Sequence, residues 1–355
     1  LLYLDNAESI GPHSAAAEGL PQRAQYRMRR GPFGYPVPVN RPQRPQQNQQ
    51  KKKSAGLNEN YGRELMELHT LGVDGGYTQK DVTEAAKVLT GWTVKQPRDG
   101  GSFEFDERRH EPGQKVVLGH KFKENGEREG VELLEMLAHH PSTAHFISKK
   151  LAIRFVSDDP PESLVRKMAD TFLKSDGDIR EVLRTMFRAP EFWAPEAYRA
   201  KIKTPLEFVV SAIRSTGAEV DNAMPLVQTL NRMGMPPYQM QPPTGYSAKN
   251  EAWESTSALL NRINFALALG ANKLPGVKVD TAAMLGNSEP PDAQATVAAL
   301  EHSLLAGDVS EKTHATIMKQ LEASQPNGGG MAADHPPNTG MIAALILGSP
   351  EFQKR

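Results

Sequence analysis

From Leu57 to the end of the chain, apolar residues recur three and four positions apart, the spacing that lines one face of an α-helix. Asn58 can cap the first such stretch, which runs to Leu71, with Gly72 as its stop. Thr78 followed by Asp81 resembles a capping box and starts a second helix, with Val82, Ala85, Ala86 and Leu89 on one face and Gly91 as the stop. Further helices are predicted over 127–138, 142–156, 162–174 and 178–188, with Ser142 and Asp178 as caps. Thr204-Pro205-Leu206-Glu207 joins an N-cap, a proline at the first helical position and a capping-box glutamate, and its helix should end at Gly217. Helices near 223–233, 254–269, 293–306, 311–323 and 339–347 complete the series. A proline-rich connector, 235–243, and a Gly- and Pro-rich loop, 325–338, interrupt it, and the loop is long enough to be mobile.

The period changes only between Trp92 and Phe122. Phe103 and Phe105 alternate with polar residues, Glu111-Pro112-Gly113 marks a turn, and Val116-Val117-Leu118 favours strand, so a small hairpin or two short strands is predicted. The fold class expected is therefore mostly α, one compact multi-helix domain with a small β-hairpin excursion near 92–122. Pro-Glu-Phe follows an apolar helix twice, at 190–192 and 350–352, which reads as a helix stop with an aromatic folded back on the core.

Residues 19–56 fit neither period. They hold six prolines, seven glutamines and nine Lys or Arg with no acid, a composition that cannot bury enough surface to offset its ordering entropy, so a disordered basic insertion is expected. The domain organisation predicted is a fragment of the helical domain at 1–18, this insertion at 19–56, and the main helical domain at 57–355. The formal net charge of zero is thus a cancellation: 1–18 carries −3, the insertion +9 and the remainder −6. Nine cations with Tyr26, Phe33 and Tyr35 among them offer a polyanion or nucleic-acid grip, but a solvated surface insertion is the preferred reading and nucleic acid is not the expected partner. The absence of cysteine excludes disulfides, thiolate metal sites and cysteine nucleophiles. No window reaches the roughly 18 apolar residues of a membrane helix. The chain begins on Leu1 with no basic and apolar leader after it, which reads as an internal start.

Candidate chemistry comes from the first helix. On a wheel of about 100° per residue, Leu57, Tyr61, Leu65, Leu68 and Leu71 span an arc of roughly 120°, and Glu64 falls inside it. A carboxylate there must be paired, hydrogen-bonded or protonated. An ion pair with an Arg of a neighbouring helix is the preferred reading. A divalent metal held by Glu64 and Glu67 with His69 or a distant His such as His110, His139 or His145 is the alternative, and a carboxylate acid or base a third. His69 lies about 140° from Glu64, so it would join only through another element. Phosphate loops, dinucleotide fingerprints, nucleophile elbows and EF-hand loops are not found.

Longer segments carry a resemblance. Gly56-Leu57-Asn58-Glu59-Asn60-Tyr61-Gly62-Arg63-Glu64-Leu65-Met66-Glu67-Leu68-His69-Thr70-Leu71-Gly72-Val73-Asp74, Leu89-Thr90-Gly91-Trp92-Thr93, Arg109-His110-Glu111-Pro112-Gly113, Lys203-Thr204-Pro205-Leu206-Glu207-Phe208, Gln241-Pro242-Pro243-Thr244-Gly245-Tyr246 and Gly348-Ser349-Pro350-Glu351-Phe352 closely resemble the bacterial family known as domain of unknown function 1800. The resemblance runs the length of the chain and implies that a further N-terminal helical region precedes it in family members, the chain being the C-terminal two thirds or so. It also implies that 19–56 falls at a loop of variable length, and it brings no catalytic residue. Because genes of that family often neighbour those of an exported sulfatase-like family, it implies a noncatalytic binding or assembly role with such a partner, at the periplasm or cell envelope rather than the cytoplasm. A metal-dependent hydrolase of a polysaccharide or sulfated polymer, with Glu64 and Glu67 as ligands, is the alternative, and polyanion binding through the basic tract the third.

Overall fold

The computed structural model describes residues 6–18, 56–95, 101–286, 290–323 and 338–355, together with the backbone of 28–30 and 36–38. The chain is mostly helical with small two-stranded hairpins, and it divides into two compact units, Leu1–Ile147 and Ser148–Arg355. Their boundary falls inside the helix Pro141–Phe155, where no proline or glycine run marks it in the sequence. The basic insertion lies outside the described residues except for Gly56 and where Met28–Arg30 pairs antiparallel with Pro36–Pro38, and the 325–338 loop lies outside them but for Asn338, which caps the next helix.

In the first unit the Asn58 side chain caps the helix Glu59–Glu64 by accepting from the Tyr61 N–H at 3.2 Å. The chain then widens into a π-helix, Leu65–Thr70, in which the Leu71 N–H reaches back five residues to the Met66 carbonyl at 2.8 Å. The face that is buried is not the one predicted by the wheel. The buried positions are Gly62, Met66 and Leu71, while Leu57, Tyr61, Leu65 and Leu68 are only half-buried, and beyond Glu64 each residue advances by less than 100°, which brings Leu71 round towards Met66. Gly62 sits against the next helix, Gln79–Val88: a β-carbon there would lie 2.8 Å from the Val82 carbonyl oxygen. That second helix opens with the full Thr78–Asp81 capping box and buries Val82, Ala85, Ala86 and Val88.

The β excursion is two hairpins rather than one. Trp92–Lys95 pairs with Ser102–Phe105, and Lys115–Val117 pairs with His120–Phe122. Val117 and Phe122 join Met66, Val82, Leu89, Leu133 and Leu137 in one apolar core. The segment 6–18 belongs to this unit, because the Asn6 side-chain amide donates to the Leu89 carbonyl at 2.8 Å and Arg109 donates to the Ala7 carbonyl at 2.7 Å.

In the second unit nearly every predicted helix is present. Glu162–Lys174 packs on Ile179–Arg188, whose Asp178 cap accepts from Arg180 N–H at 2.8 Å. Thr256–Gly270 packs on Thr339–Leu347, a helix apolar on all sides and accordingly buried. Gly270 and Gly340 make that approach, since a β-carbon on either would collide with the other's carbonyl. Phe208 sits edge-on to both Phe265 and Phe352, at 6.0 and 5.9 Å between centroids, in the middle of the core. Here the second Pro-Glu-Phe buries its aromatic as expected. One cap differs: the helix over 141–155 starts at Pro141, so Ser142 is in its first turn and the His140 ring accepts the Ser142 N–H at 3.1 Å. The pairing of Glu219–Val220 with Val277–Lys278 had no signal in the sequence pattern.

Candidate functional site

Glu64, Glu67, His69 and His110 do not gather into one group among the described residues. Glu64 is half-buried rather than buried and makes no ion pair among the described residues, so the neighbouring Arg is not there. Glu67 lies 3.5 Å from the Tyr77 hydroxyl, and burial, followed by the Glu67 charge, pushes that phenol above its usual range. His69 is exposed. Among the described residues no three His, Asp or Glu side chains gather as a metal site would require.

His110 alone of the four stands in a charged cluster, and its partners are Lys115 and Glu129. The ring donates from Nδ1 to the Thr90 carbonyl at 2.8 Å, since a carbonyl can only accept. Its Nε2 then lies 3.1 Å from both Glu129 Oε1 and Lys115 Nζ. It accepts from the ammonium when the ring is neutral and donates to the carboxylate when the ring is charged. Lys115 Nζ is 2.8 Å from Glu129 Oε2, and the Asn125 N–H donates to Oε1 at 2.9 Å. All three side chains are sealed, at 6% exposure for His110, 1% for Lys115 and 0% for Glu129. Burial would raise the Glu129 carboxyl, but the bonds from His110, Lys115 and Asn125 prevail and hold it down to about 2.

Local sequence explains how these residues meet. Gly91, at φ +86°, takes a conformation that disfavours a side chain, and a β-carbon there would lie 2.8 Å from the Asp106 carbonyl oxygen, so the loop carrying His110 closes over it. Lys115 shares a strand face with Val117. Glu129 shares a helix face with Leu133 and Leu137, all three fully buried. The wheel that singled out Glu64 would have found Glu129 on the helix 127–138, a straight helix where it holds.

The next residue, Glu111, is 4% exposed and ties the segment 6–18 down. It takes the His13 N–H at 2.8 Å and the His13 ring Nδ1 at 2.6 Å. A cavity of about 390 Å³ lined by Thr93, Val94 and residues 104–109 lies beside the first hairpin, and none of His110, Lys115 or Glu129 lines it. The cluster ties together the loop that carries His110, the strand that carries Lys115 and the helix that carries Glu129.

In the second unit, Lys201 is 1% exposed, pairs with Asp158 and donates to the Ala248 carbonyl at 2.6 Å. Asp158 also takes the Asn250 N–H at 2.7 Å, and Asn250 in turn bonds Ala200 and Ile202. Its surface carries a different feature. Phe155, Phe187, Phe192 and Trp193 form a run of edge-to-face rings with successive centroids 6.1, 5.0 and 5.2 Å apart, and Trp193 is 73% exposed. The Trp193 indole N–H donates to the Phe187 carbonyl at 2.7 Å, which pins the ring while leaving its faces open. Beside it, Arg180, Arg184 and Arg188 repeat every four residues along one face of the helix Ile179–Arg188 and, with Leu183 and Phe187, line a shallow groove of about 560 Å³.

A family model described as a protein of unknown function, DUF1800, matches residues 1–354, so the chain belongs to that family. Neither the curated proteins nor the solved structures contain a match. No helix among the described residues is long and apolar enough to cross a membrane.

Proposed function

We propose that this DUF1800 family member is a noncatalytic binding or assembly protein of the cell envelope, and that the aromatic and arginine face of its second unit docks an exported sulfatase-like partner. The observation that carries the reading is the run Phe155, Phe187, Phe192 and Trp193, exposed at all but Phe192, beside Arg180, Arg184 and Arg188. Large apolar side chains held open to solvent cost hydrophobic free energy unless a partner covers them, and Trp, Phe and Arg are the residue types enriched at interface centres. The indole is already held by its bond to Phe187, so little rotamer freedom is lost on docking. Three arginines rim the groove and only Arg184 has a carboxylate neighbour on its own helix, Glu181, so the complementary surface is acidic with apolar side chains at its centre. The sulfatase-like identity of the partner comes from the family resemblance alone.

The test is co-purification from the native host with tagged chain. The partner should be retained by the unaltered protein and lost when Trp193→Ala is combined with Arg184→Glu, two exposed positions whose change leaves the helical circular dichroism intact. Equal retention by the double variant would remove the docking face, and capture of no sulfatase-like protein would remove the partner.

A further inference from the structure

A charged cluster in the second unit has the opposite character to the sealed one of the first. Glu207, the capping glutamate of the helix Pro205–Ser215, receives Arg154 Nη2 at 2.5 Å on Oε1, with Arg355 Nε 3.1 Å from the same oxygen. Arg355 Nε makes that approach at an angle that forms no hydrogen bond. Lys203 lies 3.9 Å over the Phe352 ring, and Arg262 lies 5.2 Å over Phe208. Arg154, Lys203, Arg262 and Arg355 are all electrostatically coupled to Glu207, so four cations share one carboxylate. A fifth cation, Arg199, is 3.2 Å from Asp308 and is balanced there.

Arg262 shows what this excess lacks. It is 1% exposed, donates one bond from Nη2 to the Lys203 carbonyl at 2.7 Å, and has no partner for Nε or Nη1 among the described residues. A buried guanidinium with two idle N–H groups is costly, and native structures rarely keep one without a use. The rim is open, since the Arg154 side chain is 42% exposed and that of Arg355 25%. Lys203 feels the same imbalance: burial, opposed by Glu207 and reinforced by Arg199, Arg262 and Arg355, brings its ammonium down to about 8.

We propose that Arg154, Lys203, Arg262 and Arg355 form a binding site for a tetrahedral oxyanion, a sulfate or phosphate group. A doubly charged oxyanion suits the chemistry better than a carboxylate does. It offers acceptors in several directions to the idle N–H edge of Arg262, and two negative charges leave the cluster near balance with Glu207 counted. The site does not depend on the docking face, whose arginines are different residues.

Titration calorimetry of the whole chain with sodium sulfate and with sodium phosphate, against sodium chloride at equal ionic strength, should show one saturable site for the dianions and none for chloride. Arg154→Gln, a rim change that spares the core, and Lys203→Gln should each weaken binding at least tenfold. Glu207→Gln keeps the cap but removes the competing charge, so it should tighten binding several-fold. Arg180→Gln, which is not part of the cluster, should change nothing. The Lys203 side-chain resonance should titrate at a higher pH when sulfate is bound. Glucose 6-sulfate and glucose 6-phosphate distinguish the sources: if they bind at the same site, the group arrives on a larger molecule, and if only the inorganic ions bind, it arrives free. No saturable binding, equal loss with Arg180→Gln, or weaker binding by Glu207→Gln would overturn the proposal.

Discussion

Removing the charge of Glu129 is the sharpest test of how the first unit is held. In Glu129→Gln the side chain keeps its shape, but Lys115, 1% exposed, loses its counter-ion. Breaking a buried pair by removing one partner costs about 3–5 kcal/mol. The titration of Glu129 leads to the same magnitude. Its carboxyl moves from an ordinary 4.5 to about 2, and at roughly 1.4 kcal/mol per unit the folded state gains about 3 kcal/mol from the ionised form. Because the folded value is depressed, this contribution is complete above about pH 4.5 and disappears as the pH falls toward about 2. Native-state hydrogen exchange at the Asn125 amide, which donates to Glu129, and at Leu133 should therefore speed up by roughly a hundredfold in the variant at pH 7. The gap between variant and unaltered protein should narrow through pH 4 and 3. Adding Lys115→Met should restore much of the loss, since an apolar side chain of similar length does not require a counter-ion. A cost under about 1 kcal/mol at pH 7, or a gap unchanged between pH 7 and pH 3, would refute the claim that charge rather than shape holds the cluster.

Two further outcomes follow from the second unit. Gly270→Ala places a methyl group on the Gly340 carbonyl, and overpacking of this kind costs about 1–3 kcal/mol, to be read as a lower melting temperature; an unchanged melt would mean that the two helices can separate without penalty. Asp158→Asn leaves Lys201 buried with only the Ala248 carbonyl. Since Asp158 is itself partly exposed, the expected loss is about 1–2 kcal/mol, seen as faster exchange of the Asn250 amide, and protection equal to that of the unaltered protein would show that the pair is dispensable.

The helices were legible because their signals are local. Thr78 with Asp81, Asp178, and Thr204 with Glu207 each close a bond within three residues, so the sequence carries the complete device. The wheel over 57–71 failed for an equally specific reason. It took the leucine-rich face as the buried one, but the next helix packs on Gly62 and Met66, and the π-helix Leu65–Thr70 then breaks the 100° step that would have placed Leu71. Ser142 misled because proline is itself a good first helical residue and the preceding His140 ring serves as cap. His110 was singled out for its chemistry, yet its real partners, Lys115 and Glu129, are visible only as buried positions on a strand and a helix that each look ordinary alone.

Sequence by itself determined which segments are helical, where most of them start and stop, and that 92–122 carries β structure, because caps, glycine stops and side-chain period act over three or four residues. It also determined the family. Only the tertiary structure decided which charges meet. Glu129 is paired with a lysine fourteen residues away, Asp158 with one forty-three residues away and Glu207 with an arginine fifty-three residues away. It also left Arg262 with idle donors among excess cations and Trp193 with its faces in solvent. Pairings over such distances depend on how helices pack, and a polar side chain shows whether it is satisfied only when its neighbours from the rest of the chain are in place.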